Sequence, residues 1–513
     1  MSVTARTGRS PWTALAVLAG AMLTIGLDTM VLMVALPSLS RELGASTSQL
    51  QWITTSYPLV LGALMIPLGA LGDRVGRVRM LGLSLLGFGA ASAVCAFAAT
   101  PAMLIVGRVL LGACAAAAMP LSMGVLPGLF PDPRERERAM GIWMASSAAG
   151  MPLGPILGGV LLQHFWWGSV FLINVPIAAV AAVAVWLLIP ESENRAQPGG
   201  FDIAGVVLSV VGFGALVWAF TQAGQTGWAS GRFLLLLAVA VVGLCAFAWR
   251  ELTAERPLVR LTLLRQRGFL AGTVLAGSTM LLLASATFQL TQVFSVVYNA
   301  DALGIGLRIL PVVGALILGT RVGPRLSAAV GRRAVAVGSV LLIAAAFLLQ
   351  ATWSDGPYSV YLAVTILLGL GLGGVIPMAM ALATGDLDGW DAGAGSALIQ
   401  AIRQIASALG VAVFGSAVAA AYTGRLAWVP LPPGVEPVVR DNVIAGVTAL
   451  RSADPGAVGG VIAAYQHGLA VAGWIGVGLA LASVLMCALV PAESGRGGTN
   501  DEAGERNEAA RSA

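Results

Sequence analysis

The sequence predicts an all-α polytopic membrane protein, and three observations carry that reading. Of 513 residues, 58% are hydrophobic and only 10% charged, with a mean hydropathy of +0.87, a balance foreign to water-soluble domains. Apolar runs long enough, at 1.5 Å per helical residue, to cross a hydrocarbon core of roughly 30 Å recur along nearly the whole chain. They are continuous rather than alternating, and in lipid a continuous apolar run satisfies its backbone as a helix.

Spans are expected near 12–37, 50–70, 79–98, 102–124, 138–162, 169–189, 203–221, 232–249, 269–292, 303–321, 333–352, 358–380, 397–421 and 468–490. That makes fourteen, or twelve without the pair at 203–221 and 232–249. The first follows the basic leader MSVTARTGRSP, but its apolar stretch is too long for a signal peptide and lacks a small-residue cleavage site, so it reads as a retained helix.

All 29 basic residues are arginine. With the N-terminus inside, about 21 fall in tails and inward loops, five in outward loops (Arg41, Arg232, Arg425, Arg440, Arg451) and three in spans (Arg108, Arg308, Arg403). That asymmetry places both termini in the cytoplasm, and the net charge of +5 reports topology rather than nucleic-acid binding. Cys95, Cys114, Cys245 and Cys487 lie in apolar spans without CxxC spacing and read as buried small hydrophobes.

An internal repeat organises the spans. Gly331-Arg332 in RVGPRLSAAVGRRAVAVG answers Gly76-Arg77 in GALGDRVGRVRM at an offset of 255, and LLGLGLGGVIPMAM (367–380) answers LLGACAAAAMPLSM (110–123) at 257. Two six-helix halves separated by two extra helices produce this register, and parallel repeats of this kind place a transport site between two rocking halves. The expected division is an N-terminal six-helix half, 1–190; two extra helices and a basic linker, 191–268; a C-terminal six-helix half, 269–492, with an outward loop at 422–467; and a polar, disordered tail, 493–513. Within the linker, 250–268 reads either as a helix at the inner membrane surface or as a solvated loop.

What is missing narrows the chemistry. A chain without lysine has no P-loop, so an ATPase motif is absent and energy is left to an ion gradient, a partner subunit or the substrate's own gradient. With two histidines, His164 and His467, both near expected outer span ends, no His-based metal site or catalytic triad is available. An enzyme is not expected, nor a cofactor or metal.

Ionisable residues within spans are functional candidates by default. Asp28, in LTIGLDTMVLMVALP, is the acid well inside a span; at helical rise it lies about 14 Å below the outer surface, and Arg108 about 9 Å below it. Two charges at similar depth point to a shared cavity, with outward snorkelling of Arg108 as the alternative. In GALGDRVGRVRM, Gly69, Gly72 and Gly76 let helix ends approach, while Asp73, Arg74, Arg77 and Arg79 can latch them with charge-assisted bonds. In GMPLGPILGG, Gly150, Gly154 and Gly158 recur at four-residue steps beside Gly159, Pro152 and Pro155, a groove that reads as close packing or as a hinge.

These stretches, with RVLLG (108–112) and FLINVP (171–176), resemble the signature set of the major facilitator superfamily in its fourteen-span drug:proton antiporter branch. The resemblance covers roughly 12–490 and includes features of multidrug and quaternary-ammonium exporters. It implies proton coupling through Asp28 and Arg108, gating by Asp73 and Arg77, and an antiporter motif at Gly154 and Pro155. From position in the matching spans, Asp28, Trp143, Gln289, Gln292, Gln400 and Gln404 are candidates for a substrate pocket. Exporters of organic cations often carry further carboxylates in span thirteen; LIQAIRQIASALG offers Gln400, Arg403 and Gln404 instead, which argues against a dicationic substrate.

The expected function is thus proton-coupled efflux of a lipophilic, drug-like small molecule across a bacterial plasma membrane, by a monomer without nucleic-acid partners. An importer or facilitator of the same fold, or a non-transporting receptor or scaffold, remains the alternative.

Overall fold

The computed structural model describes residues 10–191, 202–254, 261–384 and 389–487. All regular structure among them is helical: α1 Pro11–Glu42, α2 Thr47–Val75, α3 Arg77–Ala96, α4 Pro101–Leu129, α5 Pro133–His164, α6 Ser169–Leu172, α7 Asn174–Leu188, α8 Ile203–Thr226, α9 Gly231–Thr253, α10 Arg267–Val296, α11 Ala302–Val330, α12 Arg332–Thr352, α13 Tyr358–Thr384, α14 Gly389–Leu426, α15 Glu436–Asp441, α16 Val443–Ala453 and α17 Val458–Cys487. Thirteen segments among the described residues are long and apolar enough to cross a membrane, α6 and α7 together forming one of them. The fourteenth long helix, α5, contributes the apolar stretch Leu153–His164.

Local chemistry sets the helix starts. Side chains of Ser10, Ser46, Thr100, Asp132, Asp202, Ser230 and Asp301 each accept a backbone N–H of the turn they precede. These caps satisfy donors that would otherwise be orphaned at a helix end. Pro11, Pro101 and Pro133 open their helices, where a missing N–H costs nothing.

One buried apolar core is built almost entirely from α1–α7 and a second almost entirely from α10–α17, so the bundle has two halves. The extra pair, α8 and α9, forms a hairpin whose close approach is set by Gly212, where a Cβ would sit 3.0 Å from the Leu244 amide. At its open end Arg250 Nε reaches Asp202 Oδ2 at 3.2 Å. Partial burial pushes the Asp202 carboxyl up, but bonds from Arg250 and from the Gly205 and Ala204 amides outweigh it and hold the group below its usual value. The hairpin leans on both halves: Gly224 of α8 abuts Ser416 of α14, and Trp218 stacks edge-on against Trp52 of α2 with ring centroids 6.5 Å apart.

The bundle has two ends, one carrying the turn at Gly76 and the other the turn before Thr47. At the Thr47 end the halves meet directly. Thr47 Oγ1 donates to the Asp441 carbonyl at 2.7 Å, and Asn442 Nδ2 donates to the Ala45 carbonyl at 2.7 Å. A Cβ on Gly159 of α5 would lie 2.8 Å from Leu303 Cα of α11.

Four expectations change. The stretch 422–467 is not an open loop: α14 runs to Leu426, α15 and α16 fill the middle and α17 begins at Val458, while Asn442 caps α16 and ties it to the turn between α1 and α2. His467 accordingly lies inside α17, on an exposed face, rather than at a span end. The region 250–268 is broken: α9 ends at Thr253, 255–260 lie outside the described residues, and Leu261–Arg265 form a 3-10 turn. Cys245 is exposed, on the outer face of the peripheral helix α9, whereas Cys95 and Cys487 are buried and Cys114 half-buried. The tail expected at 493–513 lies outside the described residues.

Candidate functional site

Asp28 sits midway along α1, and Arg108 lies in the second turn of α4. Both are enclosed, at 2% and 1% exposure. Arg108 Nη1 donates to Asp28 Oδ2, while its Nε donates to the Ile53 carbonyl of α2 at 3.2 Å. The guanidinium carbon lies 4.5 Å from the Tyr57 ring centroid, a cation–π contact that covers its remaining face. Asn174 Nδ2 donates to the second carboxylate oxygen, Asp28 Oδ1, at 3.2 Å. Both oxygens of the acid are therefore engaged, as a buried charge requires. The geometry is tighter than a shared cavity: the two charges form one ion pair inside the N-terminal half, and Arg108 does not snorkel.

Glycines bring the four helices that close enough. A Cβ at Gly112 would stand 2.7 Å from the Tyr57 carbonyl, so α2 can press against α4 one turn beyond Arg108. The groove of α5 receives α1 itself: a Cβ at Gly150 would lie 2.5 Å from the Gly26 carbonyl carbon, at Gly154 2.5 Å from Met30 Cβ, and at Gly158 3.2 Å from Val31 Cγ1. These contacts bracket Asp28 on either side. The opposite side of α5 faces the other half, where Gly306 of α11 lies against the Pro155 carbonyl and Leu303 against Gly159. α5 is thus wedged between the helix carrying the acid and the second half of the molecule. The side chain of Pro152 lies outside the described residues.

At the Gly76 turn, φ is +116°, a conformation that favours glycine. The turn delivers α3 onto a carboxylate absent from the sequence expectations: Glu191 Oε1 accepts the Val78 amide and Oε2 the Arg79 amide, each at 3.0 Å. A carboxylate there answers the positive end of the helix dipole. Arg77 Nη1 donates to the Gly124 carbonyl of α4 at 2.8 Å, Gly69 faces Pro120, and a Cβ at Gly72 would strike the Leu121 side chain. Arg74 is exposed and the Asp73 side chain lies outside the described residues.

A cavity of about 800 Å³ lies near the Thr47 end among α2, α8, α10 and α14, with Thr47, Gln51, Gln289, Gln292 and Tyr422 in its wall. Gln289 is held by Gln350, whose Nε2 donates to its Oε1 at 2.8 Å. The other pocket candidates lie elsewhere. Asp28 is sealed within its half, and Trp143 is buried with its Nε1 donating to Ser122 Oγ at 3.1 Å. Gln400 and Gln404 are half-buried at mid-height of α14, where Gln400 Oε1 accepts from Arg403 Nη1 at 2.9 Å. Among the described residues no cluster of His, Cys, Asp or Glu could hold a metal ion.

Sequence reasoning named the charged pair but not Asn174, Tyr57 or Ile53, which complete its shell. Asn174 carried a signal, an amide in the apolar run FLINVP; Tyr57 carried none, because its contact depends on how α2 crosses α4.

Residues 18–411 match the Major Facilitator Superfamily. Over 493 residues the chain is 31% identical to the tetracenomycin C resistance and export protein of Streptomyces glaucescens, covering 94% of this chain and 90% of that one. It is 31% identical over 490 residues to the multidrug efflux pump LfrA of Mycolicibacterium smegmatis, covering 94% and 96%, and 35% identical over 423 residues to a probable actinorhodin transporter of Streptomyces coelicolor, covering 79% and 72%. Among solved structures, a bacterial homolog of the human lysosomal transporter Spinster, in an inward-facing and unoccupied conformation, superposes with a TM-score of 0.66 at 17% identity, covering 93% of this chain and 96% of that one. By its helical architecture and by these matches, the chain belongs to the major facilitator superfamily.

Proposed function

We propose that this protein exports lipophilic, drug-like small molecules from a bacterial cytoplasm in exchange for protons. The observation that carries the proposal is the enclosed pair of Asp28 and Arg108, in which the carboxylate is bonded at both oxygens. A proton arriving at Asp28 cancels its charge, releases Arg108 and removes the reason for α1, α4 and α7 to stay together at that point. Because α5 touches both α1 and α11, a shift of α1 reaches the other half through one helix. Resistance and efflux in the names of the relatives support the direction of transport.

The arginine distribution supports a cytoplasmic position for the Gly76 end and for both termini of this multi-pass membrane protein. Contact between the halves at the Thr47 end then closes the outer side, leaving substrate to enter from the cytoplasm or inner leaflet. One proton crossing 100 mV supplies about 2.3 kcal/mol, enough for roughly a fifty-fold gradient of a neutral substrate. No cofactor enters this cycle, and a monomer contains every group it uses.

Everted vesicles test it. An imposed inward-acid gradient should drive accumulation of a lipophilic dye in vesicles carrying the wild type and not in those carrying Asp28→Asn at equal protein level. Accumulation unaffected by the substitution, or absent from wild type, would refute proton-coupled export.

A further inference from the structure

A second intramembrane arginine pairs with no acid among the described residues. Arg403 is on α14 at the level where Ala401 and Gln404 meet Gly62, and Gly62 stands fifteen residues from the start of α2 and thirteen from its end. That is the middle of the bundle, roughly 20 Å from either end at helical rise and beyond the reach of a snorkelling side chain. The Arg403 side chain is half-buried at this depth. Among the described residues its hydrogen-bond partner is neutral, Gln400 Oε1 at 2.9 Å, and no carboxylate pairs with it. Arg108, by contrast, is fully enclosed with its own aspartate.

An unneutralised charge at mid-membrane costs roughly 2.5 to 3.5 kcal/mol on insertion scales, so its retention calls for a counter-charge that comes and goes. From this placement we infer that Arg403 is a substrate-recognition residue and that the substrate class is a lipophilic molecule bearing a single anionic group, a carboxylate or an ionised phenol. A planar guanidinium takes such a group through two parallel N–H bonds. Gln400 holds the fork in place, and Gln404, one turn from Gln400 and at the junction with α2, is positioned to meet polar substituents of the same molecule. The inference rests on the reading of the bundle as a carrier of lipophilic small molecules and supplies the charge of the cargo.

The test is equilibrium binding to the full-length chain in lipid nanodiscs, by fluorescence anisotropy, with two probes that differ only in charge, 1-pyrenebutyrate and 1-pyrenebutyl-trimethylammonium. Wild type should bind the anion about tenfold or more tightly than the cation, the worth of one charge-assisted bond. Arg403→Gln should erase that preference, while Arg403→Lys, which keeps the charge and loses the fork, should retain most of it. Equal or inverted preference in wild type, or a preference that survives Arg403→Gln, overturns the inference. Asp28→Asn separates the two readings: it should leave the charge preference intact while abolishing proton-driven accumulation. Wild type that prefers the anion but ignores the proton gradient would remove the antiport and leave the anion site standing.

Discussion

Gly112 and Gly369 occupy equivalent places in the two halves: a Cβ on the first would stand 2.7 Å from the Tyr57 carbonyl, and a Cβ on the second would strike the Val312 carbonyl. Tyr57 and Val312 are offset by 255 residues and the two glycines by 257, the same offsets the sequence repeat shows. The crossing of α2 on α4 is thus repeated as that of α11 on α13. The charge is not repeated, since Thr365 stands where the second half would place its Arg108. A glycine-to-valine change at either position should therefore lower thermal stability by a similar amount, of order 1–3 kcal/mol from overpacking. Only Gly112→Val should also disturb proton coupling, a difference that melting curves and everted-vesicle transport would read together.

Removing one member of the buried pair strands the other. Arg108→Leu should destabilise the protein by about 3–5 kcal/mol, whereas Asp28→Leu combined with Arg108→Leu should recover most of that loss. A double-mutant cycle on detergent-solubilised protein checks this; additive losses would mean that the two charges do not depend on each other.

The α5 groove supplies its own control. Gly154→Leu places a side chain into Met30 and the α1 backbone and should abolish transport with a lowered melting midpoint. Gly141→Ala, on the same helix with nothing within 4 Å of the added carbon, should leave both unchanged.

Glu191 caps α3 from a distant turn. Glu191→Ala should cost about 1 kcal/mol locally and raise hydrogen exchange at the Val78 and Arg79 amides above all others in α3. Protection unchanged at those two amides would contradict the capping role.

The Asp202–Arg250 link gives a pH dependence of known sign. Because the folded carboxyl is held below its ordinary 3.8, its contribution is fully present above that value and is lost as pH falls through the lower folded value. With Arg250 half in solvent, water screens the pair and the effect should be small. Melting midpoints of wild type and Asp202→Asn should differ slightly at neutral pH and converge in strong acid.

The sequence by itself determined the fold class, the repeat and the two charges worth attention, because each is a local property: run length, residue type and spacing. Only the tertiary structure decided that Asp28 and Arg108 touch, that Asn174 and Tyr57 complete their shell and that Glu191 crowns α3, partners separated by 80 residues or more from the group they serve in most cases. The same distinction separates the two arginines. Both read in sequence as charges in apolar helices, but whether a charge is answered depends on which side chains other helices bring to it, and helix crossing is fixed by the glycines at each contact.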